Sequence, residues 1–594
     1  MKVFNRILVL ISCVAMLCSV FGCGQRKEQK ALTEDEIYQL LFDINNKITL
    51  SLDMEDKELE KMQADYAHYL SFGSKSPIYR MADLHITIET PDGCAYHYTL
   101  EEVGVRMKGN TSRTDFYSPE EGIYNVIHLK LDFQETFDDT QYYGSDAKIW
   151  DEAARKERKN RTFATLEKLD PRWNRCDDGT FLKEYFAYET YREYGVLAPR
   201  TNLCSFDWAG IHMGVFTINE PVDKIFLEKN LPAVALGGDL YKVGWAGWNN
   251  GSFTNTNSIG IEDEDAGEFY AYDLKTNKKT SNHESLIGFI EEMNGGAITK
   301  ERFAQLVDID TFLPFAAVSY LLGNPDDMRN NYNNFYIYFR ADTGQVMFIP
   351  YDYDRCLGVT AHWNPTGDGV TSDNPFATKL AATGENQVNP VLLYSVVAGG
   401  YFVREYAHEL KNISKGQWFT YENFASLYAI AEENYADLAT PGKAFYNTDG
   451  LYLSFDLERT SDFSSQGNIS FREYLDAKMK TLDAFLENVD YYADQEQVTP
   501  TVWYIRADVT EWQNDGDFAM RMENGLVTIT ITVQERISLK VYNDTTGRWY
   551  GSECVTPDCT VDYQTDWHTN IILEAGVYRI CMDPDTESIT LEKE

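Results

Sequence analysis

The chain has 594 residues, of which 43% are hydrophobic and 14% aromatic, enough material for a packed core. This length predicts about two to four domains. The 53 basic and 93 acidic residues give a net charge of −40, which argues against nonspecific nucleic-acid binding, because such binding relies on clustered lysine and arginine.

The N-terminus predicts export. Lys2 and Arg6 precede an apolar run at residues 7–21 that is too short to span a bilayer comfortably and is typical of a signal peptide. Gly22 and Cys23 follow where this run stops. We therefore interpret residues 1–22 as a signal peptide with a lipobox. Cys23 would carry the lipid that anchors the exported protein to the cell membrane. The alternative is an ordinary cleaved signal with an incidental cysteine.

Residues 23–78 are predicted to form a polar tether followed by helices. Thr33, with acidic residues after it, is positioned to cap a helix at IYQLLFDI, and residues 55–71 form a second candidate helix. From Ala82 the apolar residues alternate with polar ones. The segments ADLHITIET, YHYTLEEVGVRMKG (as two strands) and NVIHLKLDF therefore predict an antiparallel β-rich lobe.

The middle of the chain contains both helical and strand-like spacing of its apolar residues. FLKEYFAYETYREYG is predicted to be a helix, and a hairpin is predicted around Trp208-Ala209-Gly210. Residues 299–322 are predicted to be one helix that leads into the segment YLLGNPDDMRNNYNNFYIYFRADTGQVMFIPYDYDRCLG (320–358). Residues 390–436 and 470–492 have helical spacing.

The segment 320–358 has an acidic cluster at each end of a predicted hairpin. Asp326 and Asp327 lie before the hairpin, and Asp352 and Asp354 lie after it. On an extended segment Asp352 and Asp354 would share one face. Hard cations such as Mg²⁺ take oxygen ligands, and the metal neutralises phosphate charge. The segment therefore predicts a metal–nucleotide site.

Residues 500–594 contain short strands separated by turns, which predicts a small C-terminal β-sandwich. Its tryptophans Trp503, Trp512, Trp549 and Trp567 are candidates for stacking on sugar rings, or alternatively for the core.

Several motifs occur in a characteristic order. They are a strand ending in Gly-Asn-Thr-Ser (109–112), HLKLDF (128–133), GVFTINEPVDKIFL (214–227), DLYK (239–242), an Asn-rich turn before NFYIY (334–338), and PYDYD (350–354). Together they resemble the CotH family, the spore-coat-protein-H-type atypical protein kinases, over roughly residues 79–495. The family usually has Pro-Trp-Asp where this chain has Pro350-Tyr351-Asp352.

The resemblance implies a divergent protein-kinase-like two-lobe fold. Together with the small C-terminal β-sandwich predicted from the strand pattern, this gives an α+β chain. It implies transfer of the ATP γ-phosphate to Ser or Thr of a protein substrate, with Mg²⁺ or Mn²⁺. The implied catalytic residues are Asp326 or its neighbour Asp327. The implied nucleotide-binding residues are Lys130, Glu220 and Lys242, and the implied metal ligands are Asn334, Asp352 and Asp354.

Two other hypotheses remain open from the sequence. One is a catalytically silent cell-surface protein that uses the C-terminal β-sandwich to hold glycan. The other is a structural surface component with neither activity.

Overall fold

The computed structural model describes residues 31–594 except 111, 119–122, 177, 247–250, 297, 363–368, 378–388, 442–453, 460–466, 498–499, 501, 524–525 and 558. The predicted signal peptide and Cys23 therefore lie outside the described residues. The chain is a mixed α+β protein, as predicted. No helix in the described part is both long and apolar enough to cross a bilayer.

The helices are α1 (Glu34–Leu41), α2 (Asp56–Leu70), α3 (Thr140–Tyr143), α4 (Glu152–Lys159), α5 (Lys183–Glu193), α6 (Lys224–Asn230), α7 (Glu284–Asn294), α8 (Lys300–Leu306), α9 (Ile309–Leu322), α10 (Pro390–Ser395), α11 (Val403–Ser414), α12 (Tyr421–Tyr435), α13 (Phe471–Leu486) and α14 (Val489–Ala493).

The strands of the first two-thirds of the chain are β1 (Lys47–Asp53), β2 (Arg80–Glu89), β3 (Ala95–Met107), β4 (Tyr117–Ser118), β5 (Ile123–Tyr124), β6 (Leu129–Asp132), β7 (Lys168–Trp173), β8 (Thr201–Trp208), β9 (Ile211–Asn219), β10 (Leu240–Val243), β11 (Ile259–Gly260), β12 (Tyr272–Leu274), β13 (Phe335–Phe339) and β14 (Val346–Pro350). The C-terminal strands are β15 (Trp503–Ala507), β16 (Arg521–Glu523), β17 (Leu526–Val533), β18 (Ile537–Asn543), β19 (Arg548–Tyr550), β20 (Gln564–Thr565), β21 (Ile571–Leu573), β22 (Gly576–Asp583) and β23 (Ser588–Lys593).

The first β-rich region closes into a barrel in the order β1-β2-β3-β6-β7-β9-β8. The parallel pairing of β1 with β8 completes the closure, so the barrel has no open edge. One face of each strand is apolar and buried, as the period-2 alternation predicts. Leu50, Leu84, Val105 and Leu131 are 0% exposed and belong to one core.

The prediction of two strands in YHYTLEEVGVRMKG is wrong. The segment forms the single strand β3, paired with β2 over nearly its whole length. The pairing of β2 with β3 is irregular at one point. The register shifts between Ala82 and Leu84 of β2, and Glu102 of β3 has a positive φ of 57°. Such a bulge lets a long strand bend without ending.

The second sheet has the order β11-β12-β10-β13-β14, and helices pack around it. The predicted hairpin is confirmed as β13 and β14, which pair from Phe335–Pro350 to Phe339–Val346. The prediction of a single helix over 299–322 is wrong. This segment forms two helices, α8 and α9. Val307 pairs with Val346, and the Asp308 amide donates to the Val346 carbonyl at 3.1 Å, which ties the break to β14.

The C-terminal strands form two further sheets, β15-β18-β21-β20 with β19 beside β18, and β16-β17-β22-β23. Both contribute to one buried core, which includes Ile505, Leu539, Ile580 and Leu591. The two-lobe kinase-like arrangement, the β-sandwich assignment and the domain boundaries remain predictions.

Candidate active site

The two acidic ends of segment 320–358 are held together by Asn324. The Asn324 side chain donates to the Asp352 carbonyl at 3.0 Å and accepts from the Asp326 amide at 3.1 Å. The Leu357 amide also donates to the Leu322 carbonyl at 2.8 Å. Asn324 is fully buried, so its bridge fixes the two clusters relative to each other. The sequence reasoning did not single out this residue.

The neighbouring carboxylates Asp326 and Asp327 have different environments. Asp327 is 1% exposed and accepts from the Ser319 hydroxyl, and from the Asn330 amide at 2.8 Å and side chain at 3.1 Å. Burial raises its pKa to about 6. Asp327 therefore stabilises the turn that leads to Asn330.

Asp326 is half-buried and accepts from the side chains of Asn331 at 2.7 Å and Asn333 at 3.2 Å. Burial raises its pKa, while these two hydrogen bonds oppose the rise. The negative charge of Asp352 also raises the Asp326 pKa. Asp326 is therefore the more accessible of the two carboxylates, and it lies close enough to Asp352 for their charges to interact.

The metal-ligand candidates lie on unusual backbone. Asn334 and Asp352 have positive φ values of 55° and 60°. Asparagine and aspartate both tolerate this left-handed region better than most other residues with a side chain. The expectation that Asp352 and Asp354 lie on an extended segment is wrong, because β14 ends at Pro350 and the chain turns at Asp352.

Arg172 on β7 brings the second acidic cluster together with α5. Its Nη1 donates to Glu184 Oε1 at 2.5 Å, and its Nη2 contacts Asp352 Oδ1 and Asp354 Oδ2, the latter at 3.3 Å. The Arg172 side chain is only 6% exposed. A single buried cation thus joins a strand, a helix and the turn after β14. A strand cation paired with a helix glutamate is also the arrangement that positions nucleotide in protein kinases.

The charges of this cluster shift its pKa values in opposite directions. Burial disfavours ionisation, but Arg172 and Lys242 together lower the pKa of Asp352. Burial and the neighbouring Asp352 raise the pKa of Asp354. Burial also raises the pKa of Glu184 to about 7 despite Arg172. Of these three carboxylates, Asp352 is the one whose ionised form the neighbouring cations favour most.

The predicted lysines reach this region from two different sheets. Lys130 lies on β6, and Lys242 lies on β10 with its Nζ 4.3 Å from the centroid of the Tyr351 ring. Both lower the pKa of Asp170 on β7, against the effect of burial, and so does Lys108. Lys108 and Asp170 were missed by the sequence reasoning.

Glu220 does not join this cluster. Its carboxylate accepts from the Tyr38 hydroxyl of α1 at 2.9 Å and from the Arg200 amide at 3.1 Å, and it lies 3.7 Å from Lys229 Nζ. The side chain is 1% exposed. In this structure Glu220 connects α1 to the end of β9.

The donor set suits a hard cation. Asp352, Asp354 and Asn334 offer oxygen donors, and Asp352 remains ionised. No group of three or more acidic, histidine or cysteine side chains able to hold a metal occurs among the described residues. Mg²⁺ needs no such group, because it is bound through one or two carboxylates and keeps waters or phosphate oxygens.

The C-terminal tryptophans differ in exposure. Trp503 is 6% exposed and packs in the core, so its ring faces are not open to a sugar. Trp549 is 40% exposed and lies 6.3 Å from the half-buried Trp512, measured between ring centroids. Trp567 is 86% exposed.

Comparison with known proteins gives one positive finding. Residues 146–440, about half of the chain, match the family model described as CotH kinase protein. A search of curated proteins returned no match. The matched range contains Arg172, Glu184 and the whole segment 320–358. The chain belongs to the CotH kinase family.

Proposed function

We propose that the protein transfers the γ-phosphate of ATP to serine or threonine hydroxyls of a protein substrate, with Mg²⁺ or Mn²⁺. The observation that carries this proposal is the joining of both acidic clusters to a strand–helix ion pair. Asn324 ties Asp326 to Asp352, and Arg172 ties Asp352 to Glu184. Phosphoryl transfer asks mainly for positioning and charge neutralisation, which this arrangement supports.

Each acidic residue then has a role. Asp326, oriented by Asn331 and Asn333, accepts or orients the proton of the substrate hydroxyl. Asp352 and Asn334 would hold the metal ion, with Asp354 beside them. When bound, the metal neutralises charge on the transferred phosphoryl group. Asp327 maintains the turn, so of the two adjacent aspartates we assign catalysis to Asp326.

Transfer from labelled ATP by the purified full chain tests these roles. We expect phosphate transfer to the chain itself or to a generic basic protein. Asp326→Asn and Asp352→Asn should each lower the rate by about 100-fold or more. Asp342→Asn, the same change in the exposed hairpin turn, serves as the matched control.

A thermal-shift measurement with Mg²⁺ and ATP separates a kinase from a structural surface component, because only a chain that binds the nucleotide gains stability from it. The proposal fails if no phosphate is transferred and Asp352→Asn leaves the nucleotide-induced shift unchanged. A chain that neither transfers phosphate nor gains stability would favour a structural surface role.

We also propose that the protein is exported and anchored by a lipid on Cys23, on the strength of the N-terminal sequence. Incorporation of labelled palmitate that disappears in Cys23→Ser supports this, and incorporation that persists contradicts it.

A second candidate function is glycan binding by an aromatic platform formed by Trp512 and Trp549, which the buried Tyr542 and the Arg506 side chain support. The Arg506 guanidinium lies 3.6 Å from the Tyr542 ring centroid and 5.0 Å from that of Trp549. Asn514 accepts from Arg506 Nε at 2.7 Å. Exposed aromatic faces bordered by fixed polar groups suit sugar rings.

Retention of the full chain on insoluble glycan tests the platform. We expect Trp549→Ala to reduce retention strongly, since it removes the most exposed ring of the platform. Trp567→Ala, at a more exposed tryptophan outside the platform, should leave retention unchanged. Equal retention by both variants would refute the glycan hypothesis.

A further inference from the structure

The C-terminal sheet that contains β18 and β19 presents an aromatic side chain on a buried aromatic support. Trp549 on β19 lies directly opposite Tyr542 on β18, so the two side chains share one face of the sheet. Their ring centroids are 4.7 Å apart. Tyr542 is 6% exposed, whereas Trp549 is 40% exposed. Tyr542 therefore supports Trp549 from the protein side, and part of the Trp549 ring is open to solvent.

Trp512 approaches Trp549 from a separate loop, residues 508–514. The two ring centroids are 6.3 Å apart. Glu511 and Trp512 both have left-handed backbone, with φ values of 52° and 61°. A bulky residue rarely adopts this conformation, because it costs energy unless the surrounding structure enforces it. Strain of this kind is concentrated where a side chain must be presented to a ligand.

Hydrogen bonds enforce the conformation of this loop. The Trp512 amide donates to the Ala507 carbonyl at 2.9 Å. Two residues later, Asn514 accepts from Arg506 Nε at 2.7 Å and donates to Asp544 Oδ1 at 3.2 Å. Because the loop is tied to the sheet on both sides of its strained turn, the Trp512 ring is held at a fixed angle to Trp549.

The two tryptophan rings are not coplanar, since their planes meet at 53°. A flat glycan ribbon presents the faces of successive sugars in one plane, whereas a helical chain turns each sugar relative to the one before it. Sugar faces stack on aromatic faces, so two fixed rings select the angle between neighbouring sugars. The angle between Trp512 and Trp549 therefore matches a helical chain better than a flat one.

The charges around the rings favour a neutral glycan. The Arg506 guanidinium lies 5.0 Å from the Trp549 ring centroid, but Asp544 Oδ1 lies 3.8 Å from its Nη2. Asp544 thus offsets the positive charge that an acidic sugar would need. The net charge of −40 also repels a polyanion.

We propose that the aromatic platform binds a neutral glycan chain with a helical twist, and that Trp512 sets this preference. Trp549 supplies the more exposed ring face, and Trp512 fixes the angle at which the next sugar stacks. This inference rests on the proposed glycan-binding function and deepens it, because it names the class of glycan. It does not depend on the proposed kinase activity.

Depletion of the full chain from solution by two insoluble glucose polymers tests the inference. Granular starch presents helical chains of α-linked glucose, and microcrystalline cellulose presents flat ribbons of β-linked glucose. We expect the partition coefficient per unit of particle surface to be about tenfold or more higher on starch, the difference expected for one additional stacked sugar. Soluble maltoheptaose should release the chain from starch.

Two tryptophan variants locate this preference. Trp512→Ala should lower the partition coefficient on starch by about tenfold and leave that on cellulose unchanged, because a single remaining ring cannot select an angle between sugars. Trp567→Ala, at an exposed tryptophan outside the platform, should change neither coefficient. The ratio of the two coefficients keeps the test independent of folding, since damage to the fold would lower both.

Equal partition on the two polymers, absence of binding to starch, or a preference for starch that Trp512→Ala leaves intact overturns the inference. If Trp549→Ala abolishes retention on insoluble glycan but the chain shows no preference for starch, glycan binding stands and only this inference fails. If Trp549→Ala is retained as well as Trp567→Ala, the glycan-binding function fails together with it.

Discussion

At the scale of single residues, Arg172 has the largest electrostatic effect on the site. It is buried and is the cation that Glu184, Asp352 and Asp354 share. Removing one partner of a buried charge pair costs more than the pair contributes, because the remaining charge is left uncompensated. Arg172 was not predicted as a site residue.

We expect Arg172→Met to lower the free energy of unfolding by about 3–5 kcal/mol at neutral pH. The loss should shrink as pH falls. In the variant, buried carboxylates without a cation have pKa values above those of the unfolded chain. The folded state then binds more protons than the unfolded state, so acid stabilises it.

The wild type should change less over the same range, because Arg172 holds the pKa of Asp352 low and opposes the burial that raises the pKa values of Glu184 and Asp354. Its Asp352 has a lowered pKa, so the stability from this group is present above the ordinary aspartate pKa of about 4 and is lost below it. Urea unfolding of both proteins between about pH 5 and pH 8 measures the difference. Arg404→Met, at a half-exposed arginine with two surface partners, should cost less than about 1 kcal/mol. If the difference in free energy of unfolding between wild type and Arg172→Met is constant over this pH range, the proposed role of the buried charges is wrong.

At the scale of elements, local patterns predicted most helices and hairpins. Thr33 caps α1 with the reciprocal hydrogen bonds of a capping box, as its sequence context predicts. The hairpins β8–β9 and β13–β14 are also confirmed. These elements depend on residues close together in the chain. The residue types within each segment are therefore sufficient to identify the element.

The composition of the site depends on pairings between distant strands, which a single sequence does not reveal. A signal for them was present, because charged residues alternate with apolar ones in RMK (106–108), HLKLD (128–132) and KLDPR (168–172). This alternation indicates a charged face on each strand. Only the order β3-β6-β7 shows that the three faces are one surface. The left-handed backbone at Asp352 likewise has no local sequence signal.

At the scale of the whole molecule, two of the main cores share strands and the third does not. Leu203 on β8 and Val215 on β9 belong to the core of the second sheet and its helices, whereas the next residues, Cys204 and Phe216, belong to the barrel core. Strands β8 and β9 therefore have one face in each core. Among the described residues, the C-terminal core draws on positions 502 to 591 alone.

This distribution of cores predicts two unfolding transitions in calorimetry. The barrel and the second sheet should unfold together, because β8 and β9 cannot leave one core without leaving the other. The C-terminal sheets should unfold separately. We expect Leu539→Ala, in the C-terminal core, to cost about 2–5 kcal/mol and to lower only the smaller transition, by about 10 °C or more.

Leu84→Ala, an equally buried leucine in the barrel, is the matched change and should lower only the larger transition. A single transition that both variants lower equally would show that the C-terminal sheets unfold with the rest of the chain. In that case the contacts outside the cores, such as the Thr256 amide donating to the Thr545 carbonyl at 2.6 Å, would have to couple the two parts. Two separate transitions would instead show that the C-terminal sheets are a distinct folding unit, so that substitutions in the aromatic platform could be made without disturbing the candidate active site.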